Sequence, residues 1–235
     1  MRKFILAAAA VLVSVPAFAA DLPIIGKVAT PGYPATCGLY AGINAEGGAG
    51  GVTNAPAGTV VVGGDIGALV GYACSIGMIP WFVEGIFDFQ NLNAGAPGFS
   101  LTGPAHLEQR VGVQTPLLQF LPALGFPSTG TAPALPVLPP GVTVNGAAQN
   151  YFYGAIDEDD ISSTVGAATA RAWLISPEVG TGLLIPLKLS NGWSVVADTW
   201  AGVELQTNAV CVGSGIGSMC PKLGTRYKTG VSFKF

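Results

Sequence analysis

The 235-residue chain carries 10 Lys and Arg against 13 Asp and Glu; only 10% of it is charged while 50% is hydrophobic, and its mean hydropathy is +0.53. Ordinary soluble domains carry about 25% charged residues, so this composition argues against a charge-rich soluble surface, and the acidic balance gives no nucleic-acid partner. The 34 glycines and 18 prolines favour strands, turns and loops over helices.

The first twenty residues read as an export signal. Arg2 and Lys3 form a basic start, Phe4 to Val15 an apolar stretch, and Ala17-Phe18-Ala19 a small-x-small cleavage pattern. Residues 21–36 are a Pro-rich lead-in without periodicity, expected in the periplasm. Downstream, no apolar run reaches the roughly 20 residues a spanning helix needs. A closed sheet is then the remaining way to turn so many apolar side chains toward lipid, because lipid offers no partner to an open edge.

From Cys37 a period of two begins. Leu39, Ala41, Ile43 and Ala45 share one face, and Tyr40, Gly42, Asn44 and Glu46 the other. Gly47 to Gly58 reads as a loop. Ile66, Ala68, Val70 and Tyr72 then alternate with Asp65, Gly67, Leu69 and Gly71. Trp81, Val83, Gly85, Phe87 and Phe89 alternate with Phe82, Glu84, Ile86, Asp88 and Gln90. Ala105, Leu107, Gln109, Val111 and Val113 alternate with His106, Glu108, Arg110, Gly112 and Gln114. Leu117 to Phe126 is a weaker strand interrupted by Pro122. The stretch 127–168, rich in Pro, Gly and Thr and containing Asp157-Glu158-Asp159-Asp160, is expected to be a long loop.

Alternation returns after Ala170. Trp173, Ile175, Val179, Thr181, Leu183, Ile185, Leu187 and Leu189 oppose Ser176, Glu178, Gly180, Gly182 and Lys188. Ser190-Asn191-Gly192 predicts a type I′ hairpin turn. Trp193 to Leu205 follows, with Asp198 and Glu204 on its polar face. Thr225, Tyr227, Thr229, Val231, Phe233 and Phe235 close the chain against Arg226, Lys228, Gly230, Ser232 and Lys234.

The sum is an all-β, antiparallel up-and-down transmembrane barrel over 37–235 with eight strands; ten result if 127–168 is split around Tyr151-Phe152-Tyr153. Short connections at 73–79, 115–116 and 190–192 should alternate with long ones at 47–58, 91–103, 127–168 and 206–222. An exported soluble β-sandwich is the competing fold. Against it stand large apolar residues opposite charge, and aromatics near strand ends at Tyr72, Trp81, Trp173, Trp193 and Phe235, where membrane girdles lie.

Four cysteines in an exported chain are expected to be oxidised. Reflection of the first hairpin about its loop brings Cys37 opposite Cys74, which leaves Cys211 with Cys220 around a Gly-rich segment. No CxxC occurs and His106 is the sole histidine, so neither a metal nor another cofactor is expected. The acidic run at 157–160 matches no EF-hand spacing and reads as a solvated loop. An eight-strand barrel is too narrow for an open aqueous channel, and charges inside it must pair. Glu84, Asp88, His106, Glu108, Arg110, Glu178, Lys188, Asp198, Glu204, Lys228 and Lys234 are the candidates for that network. A lipid-modifying enzyme built on His106 is the catalytic alternative, with Ser100 near in sequence but at no telling spacing.

Four stretches carry a family resemblance. Ala17-Phe18-Ala19-Ala20-Asp21-Leu22-Pro23 followed by Gly38-Leu39-Tyr40-Ala41-Gly42-Ile43-Asn44, and Gly230-Val231-Ser232-Phe233-Lys234-Phe235, resemble the ends of the small porin-like outer-membrane β-barrel proteins of alphaproteobacteria. Asn191-Gly192-Trp193-Ser194-Val195 is similar to that family's penultimate hairpin. Cys37 departs from its pattern, and the middle of the chain has no counterpart. The resemblance implies a non-enzymatic structural, surface-exposed or porin-like barrel in the outer membrane of a Gram-negative bacterium. It also implies that Tyr227, Val231, Phe233 and Phe235 form the signal read by the barrel-assembly machinery. Its partners would be outer-membrane lipid and, at its loops, small solutes or surface ligands.

Overall fold

The computed structural model describes residues 37–76, 79–116, 139–145, 148–206, 208–213 and 219–235. The export signal, the lead-in and the weak strand expected over 117–126 lie outside them. The strands are β1 (Gly38–Thr53), β2 (Val60–Ile76), β3 (Ile79–Ala96), β4 (Phe99–Pro116), β5 (Val142–Val144), β6 (Gln149–Val165), β7 (Ala168–Leu189), β8 (Ser194–Leu205) and β9 (Lys222–Lys234). All pairings are antiparallel, and β9 pairs back onto β1. The result is an up-and-down ring of eight strands; β5 is a short addition that meets the lower end of β7.

The register fixes the width of the ring. Starting at Tyr40, the paired residues are Gly71, Glu84, Arg110, Ala155, Glu178, Glu204 and Arg226, and the circuit returns to β1 at Gly50. With a stagger of ten residues for eight strands, the strands tilt by about 40° and the barrel radius is about 8 Å. Side chains fill such an interior, as the sequence leads one to expect.

Along β3, β4, β6 and β7 the polarity of the two faces inverts, whereas β2 keeps Val60 and Val62 exposed at its upper end. In the lower part the outward residues are apolar: Ile43, Ile66, Phe87, Val111, Ile156, Val179 and Val231 are all exposed. Above them the outward residues become Asn91, Asn93, Ser100, Thr102 and Arg171, also exposed. The interior does the reverse. Charged groups fill the lower and middle lumen, and Val61, Leu92, Phe99, Leu101, Ile161, Leu174, Val210 and Leu223 form an apolar cluster at the top. On β3 the change occurs within a few residues, from Phe89 outside and Asp88 inside to Asn91 outside and Leu92 inside. Register shifts in the pairings of β1, β3 and β4 lie at this level. About ten residues of each strand, rising about 2.5 Å each along the axis, give an apolar belt about 25 Å tall.

Several expected loops are strand instead. Gly47 to Thr53 continues β1, and 91–103 holds the ends of β3 and β4 around a tight turn at Gly98, where φ is +74°. Low side-chain content hid these segments, because glycine and alanine give no visible alternation. The largest correction concerns 127–168. The fifth strand of the ring is β6, which has Tyr151-Phe152-Tyr153 near its start and the acidic run at its middle. Strand β4 extends to Pro116, so the long connection between β4 and β6 lies at the end of the barrel where β1 begins and β9 stops. Short and long connections therefore do not alternate as expected. At 190–192 the turn is also different: only Gly192 has positive φ (+88°), and Gly192 N–H donates to Leu189 O at 2.9 Å. This is a three-residue hairpin with glycine in the left-handed position, where no Cβ obstructs it. Cys37–Cys74 and Cys211–Cys220 are both bonded, the first tying the lower ends of β1 and β2 and the second cinching the β8–β9 loop.

Candidate functional site

Among the described residues, chemistry-bearing side chains converge in the lumen. Alternation along each strand sends them inward, and the register sets which of them meet. The lowest tier is aromatic. Phe82, Tyr151, Tyr153, Leu184 and Trp200 pack together, with Phe82 and Tyr151 edge-to-face at 5.2 Å between centroids. A Cβ on Gly182 would collide with the Tyr151 ring, so the glycine there is the socket for that tyrosine. Each tyrosine turns its hydroxyl to a carboxylate: Tyr40 donates to Glu84 at 2.7 Å, Tyr151 to Asp198 at 2.9 Å, and Tyr153 to Glu178 at 2.5 Å.

The middle tier is ionic. Lys228 Nζ lies 3.0 Å from Glu46, 3.1 Å from Glu178 and 3.5 Å from Asp157. Arg110 Nε donates to Glu108 at 2.6 Å, and its guanidinium stacks 4.2 Å from the Tyr153 ring centroid and 4.4 Å from that of Trp200. Arg226 meets Glu204 at 2.7 Å and Asp159 at 3.5 Å. Lys234 bridges Glu84 and Asp198, the latter at 3.0 Å. In a low-dielectric interior such contacts are required, since a lone buried charge is costly. They do not balance. Glu46, Asp65, Glu84, Asp88, Glu108, Asp157, Asp159, Glu178, Asp198 and Glu204 point inward, against His106, Arg110, Arg226, Lys228 and Lys234. That is ten carboxylates to five basic groups.

Of the residues expected in the lumen, Glu84, Asp88, His106, Glu108, Arg110, Glu178, Asp198, Glu204, Lys228 and Lys234 are all inside and buried. Lys188 is not: it is exposed near the lower end of β7, where it pairs with Ser194 beyond the filled part of the ring. Glu46, Asp65, Asp157, Asp159 and Arg226 belong to the lumen as well. Asp157 and Asp159 escaped notice because the acidic run looked like a solvated loop, yet its alternation (Asp157 and Asp159 inward, Glu158 and Asp160 outward) is that of a strand. Asp160 instead binds Arg171 on the outside. Tyr227, Val231, Phe233 and Phe235 form an exposed row along the outer face of β9.

His106 is fully buried, with Nδ1 at 3.0 Å from Asp159 and Nε2 at 3.4 Å from Lys228 Nζ. Ser100 is on the outer face of the upper wall, so the structure does not bring it to the buried His106. The lumen contains a cavity of about 10 Å³, lined by Glu46, Asp65, Gln90 and Lys228 among others. A single water needs about that much.

No family model matches the sequence, and no curated protein matches it. Among solved structures, Neisserial surface protein A is similar over 85% of this chain and 99% of its own, at 10% identity and a TM-score of 0.35.

Proposed function

We propose that this chain is a non-enzymatic outer-membrane β-barrel whose lumen is closed, and that it serves the envelope as a structural and surface-presenting element. The observation that carries the reading is the polarity inversion. A belt about 25 Å tall is apolar outside and ionic inside, which suits a lipid surround. The collar above it is apolar inside and, on β3, β4, β6 and β7, polar outside, which suits water. The signal-type sequence over 1–20 supports export by the Sec route.

In this arrangement the collar stands clear of the bilayer and presents the turns at 54–59, 97–98 and 166–167 together with the Cys211–Cys220 loop. The long β4–β6 connection faces the opposite, periplasmic side. Outer-membrane lipid is the main partner, and the exposed β9 row of Tyr227, Val231, Phe233 and Phe235 is the segment offered to the barrel-assembly machinery. Surface ligands would meet the collar. No nucleic acid enters the account.

The apolar plug and the ionic tier together block a solute path, so a structural barrel is favoured over a porin. Single-channel recording in planar bilayers tests this. The closed lumen predicts no steady conductance from folded protein; a stable ohmic step would overturn the closed reading and restore the porin one.

A further inference from the structure

We infer that the lumen holds a hard divalent cation such as calcium, bound by Glu46, Asp65 and Asp88 with the Asn44 amide oxygen as a neutral donor. Glu46 and Asp65 are direct cross-strand partners between β1 and β2, and like charges placed so repel. Asp88, from β3, joins them: one oxygen from each of the three carboxylates lies within 4.8 Å of the others.

Basic groups do not resolve this repulsion. Glu46 shares Lys228, but neither Asp65 nor Asp88 takes part in an ion pair among the described residues. Lys228 is itself shared with Glu178 and Asp157, and of the three carboxylates His106 Nε2 stands near Glu46 only, at 3.9 Å, so among the described residues Asp65 and Asp88 keep no basic partner of their own.

Two independent features point the same way. Asn44 and Asp88 both pair with Gly67, and across that bare position the Asn44 amide donates to Asp88 at 2.9 Å. Asn44 is 2% exposed and its Oδ1 has no hydrogen-bond partner, as is true of Glu46 Oε2 and Asp88 Oδ1. Orphaned oxygens in a buried, anionic cluster are what a hard cation recognises. Beside them is the cavity of about 10 Å³, whose wall is formed by Glu46 and Asp65 together with Gln90, Arg226 and Lys228.

The test uses the full mature chain folded in detergent micelles with calcium, then dialysed exhaustively and assayed for bound metal. The wild type is expected to retain one calcium per chain and to unfold at a lower temperature once treated with a chelator. The D65N/D88N double variant is expected to retain none and to be indifferent to chelator. The inference is overturned if the wild type retains no calcium and its unfolding temperature ignores the chelator, or if the double variant keeps a full equivalent. Should that variant fail to fold, terbium added to the wild type decides. Sensitised emission from a largely dehydrated ion, displaced by calcium, supports the site, and a fully hydrated ion overturns it. None of these readouts depends on conductance, so their failure is distinct from failure of the closed-barrel reading.

Discussion

Glu46 on β1 and Lys228 on β9 meet at 3.0 Å across the seam where the last strand closes on the first. The contact is fully inside the barrel, and Lys228 also serves Glu178 and Asp157. Ring closure and lumen neutralisation therefore depend on the same side chain.

Replacing Lys228 with Met keeps the volume and removes the charge. Glu46, Glu178 and Asp157 then lose their shared cation, and removal of one partner from a buried pair costs about 3–5 kcal/mol. Urea unfolding in detergent, followed by the shift between folded and unfolded gel mobility, should show this loss. Unchanged stability would mean that water or another ion compensates the carboxylates.

Arg110 tests geometry apart from charge. Arg110→Lys keeps a cation in the lumen but loses the planar stack between Tyr153 and Trp200 and the directed bond to Glu108. Arginine and lysine are not equivalent at stacked sites, and a desolvated cation–π contact contributes about 2 kcal/mol. The same urea titration should place Arg110→Lys between wild type and Arg110→Met.

The socket at Gly182 gives a steric prediction. Gly182→Ala drives a methyl into the Tyr151 ring, and overpacking of this sort costs about 1–3 kcal/mol. Shortening the ring partner in a Gly182→Ala/Tyr151→Leu chain should recover part of the loss. If the double variant is as unstable as the sum of the singles, the socket account is wrong.

Position along the wall decides how a new charge behaves. Val179→Arg sits within the apolar belt and should cost about 2–4 kcal/mol in lipid. Thr102→Arg sits on the collar and should be close to neutral. Folding yield into vesicles for the two variants measures the difference, and equal yields would place the belt wrongly.

The barrel was legible in the sequence because its signal is repeated: each strand from Leu39 to Phe235 puts large apolar side chains on one parity. Its dimensions were less so. Register depends on pairing between strands, so the stagger that sets the radius has no local mark. The collar was missed for a related reason. Above Phe89 the pattern inverts, and Asn91 or Thr102 facing out looks like a loop to any reading that expects apolar residues outside. The acidic run on β6 failed in the same way, since Asp157 and Asp159 occupy the interior parity of a strand but carry the composition of a surface loop. Apart from Lys188 and the acidic run, the expected lumen residues were legible from parity alone; their partners were not.

The most direct measurement is quenching of single tryptophans by lipids brominated near the headgroup, in vesicles holding the folded chain. Trp173 and Trp193 are exposed on the outer wall, whereas Trp200 is buried in the lumen. A chain retaining only Trp173 or only Trp193 should be strongly quenched, and one retaining only Trp200 should keep its emission. Equal quenching of all three, or of none, would contradict a barrel that turns its apolar face to lipid and fills its own interior.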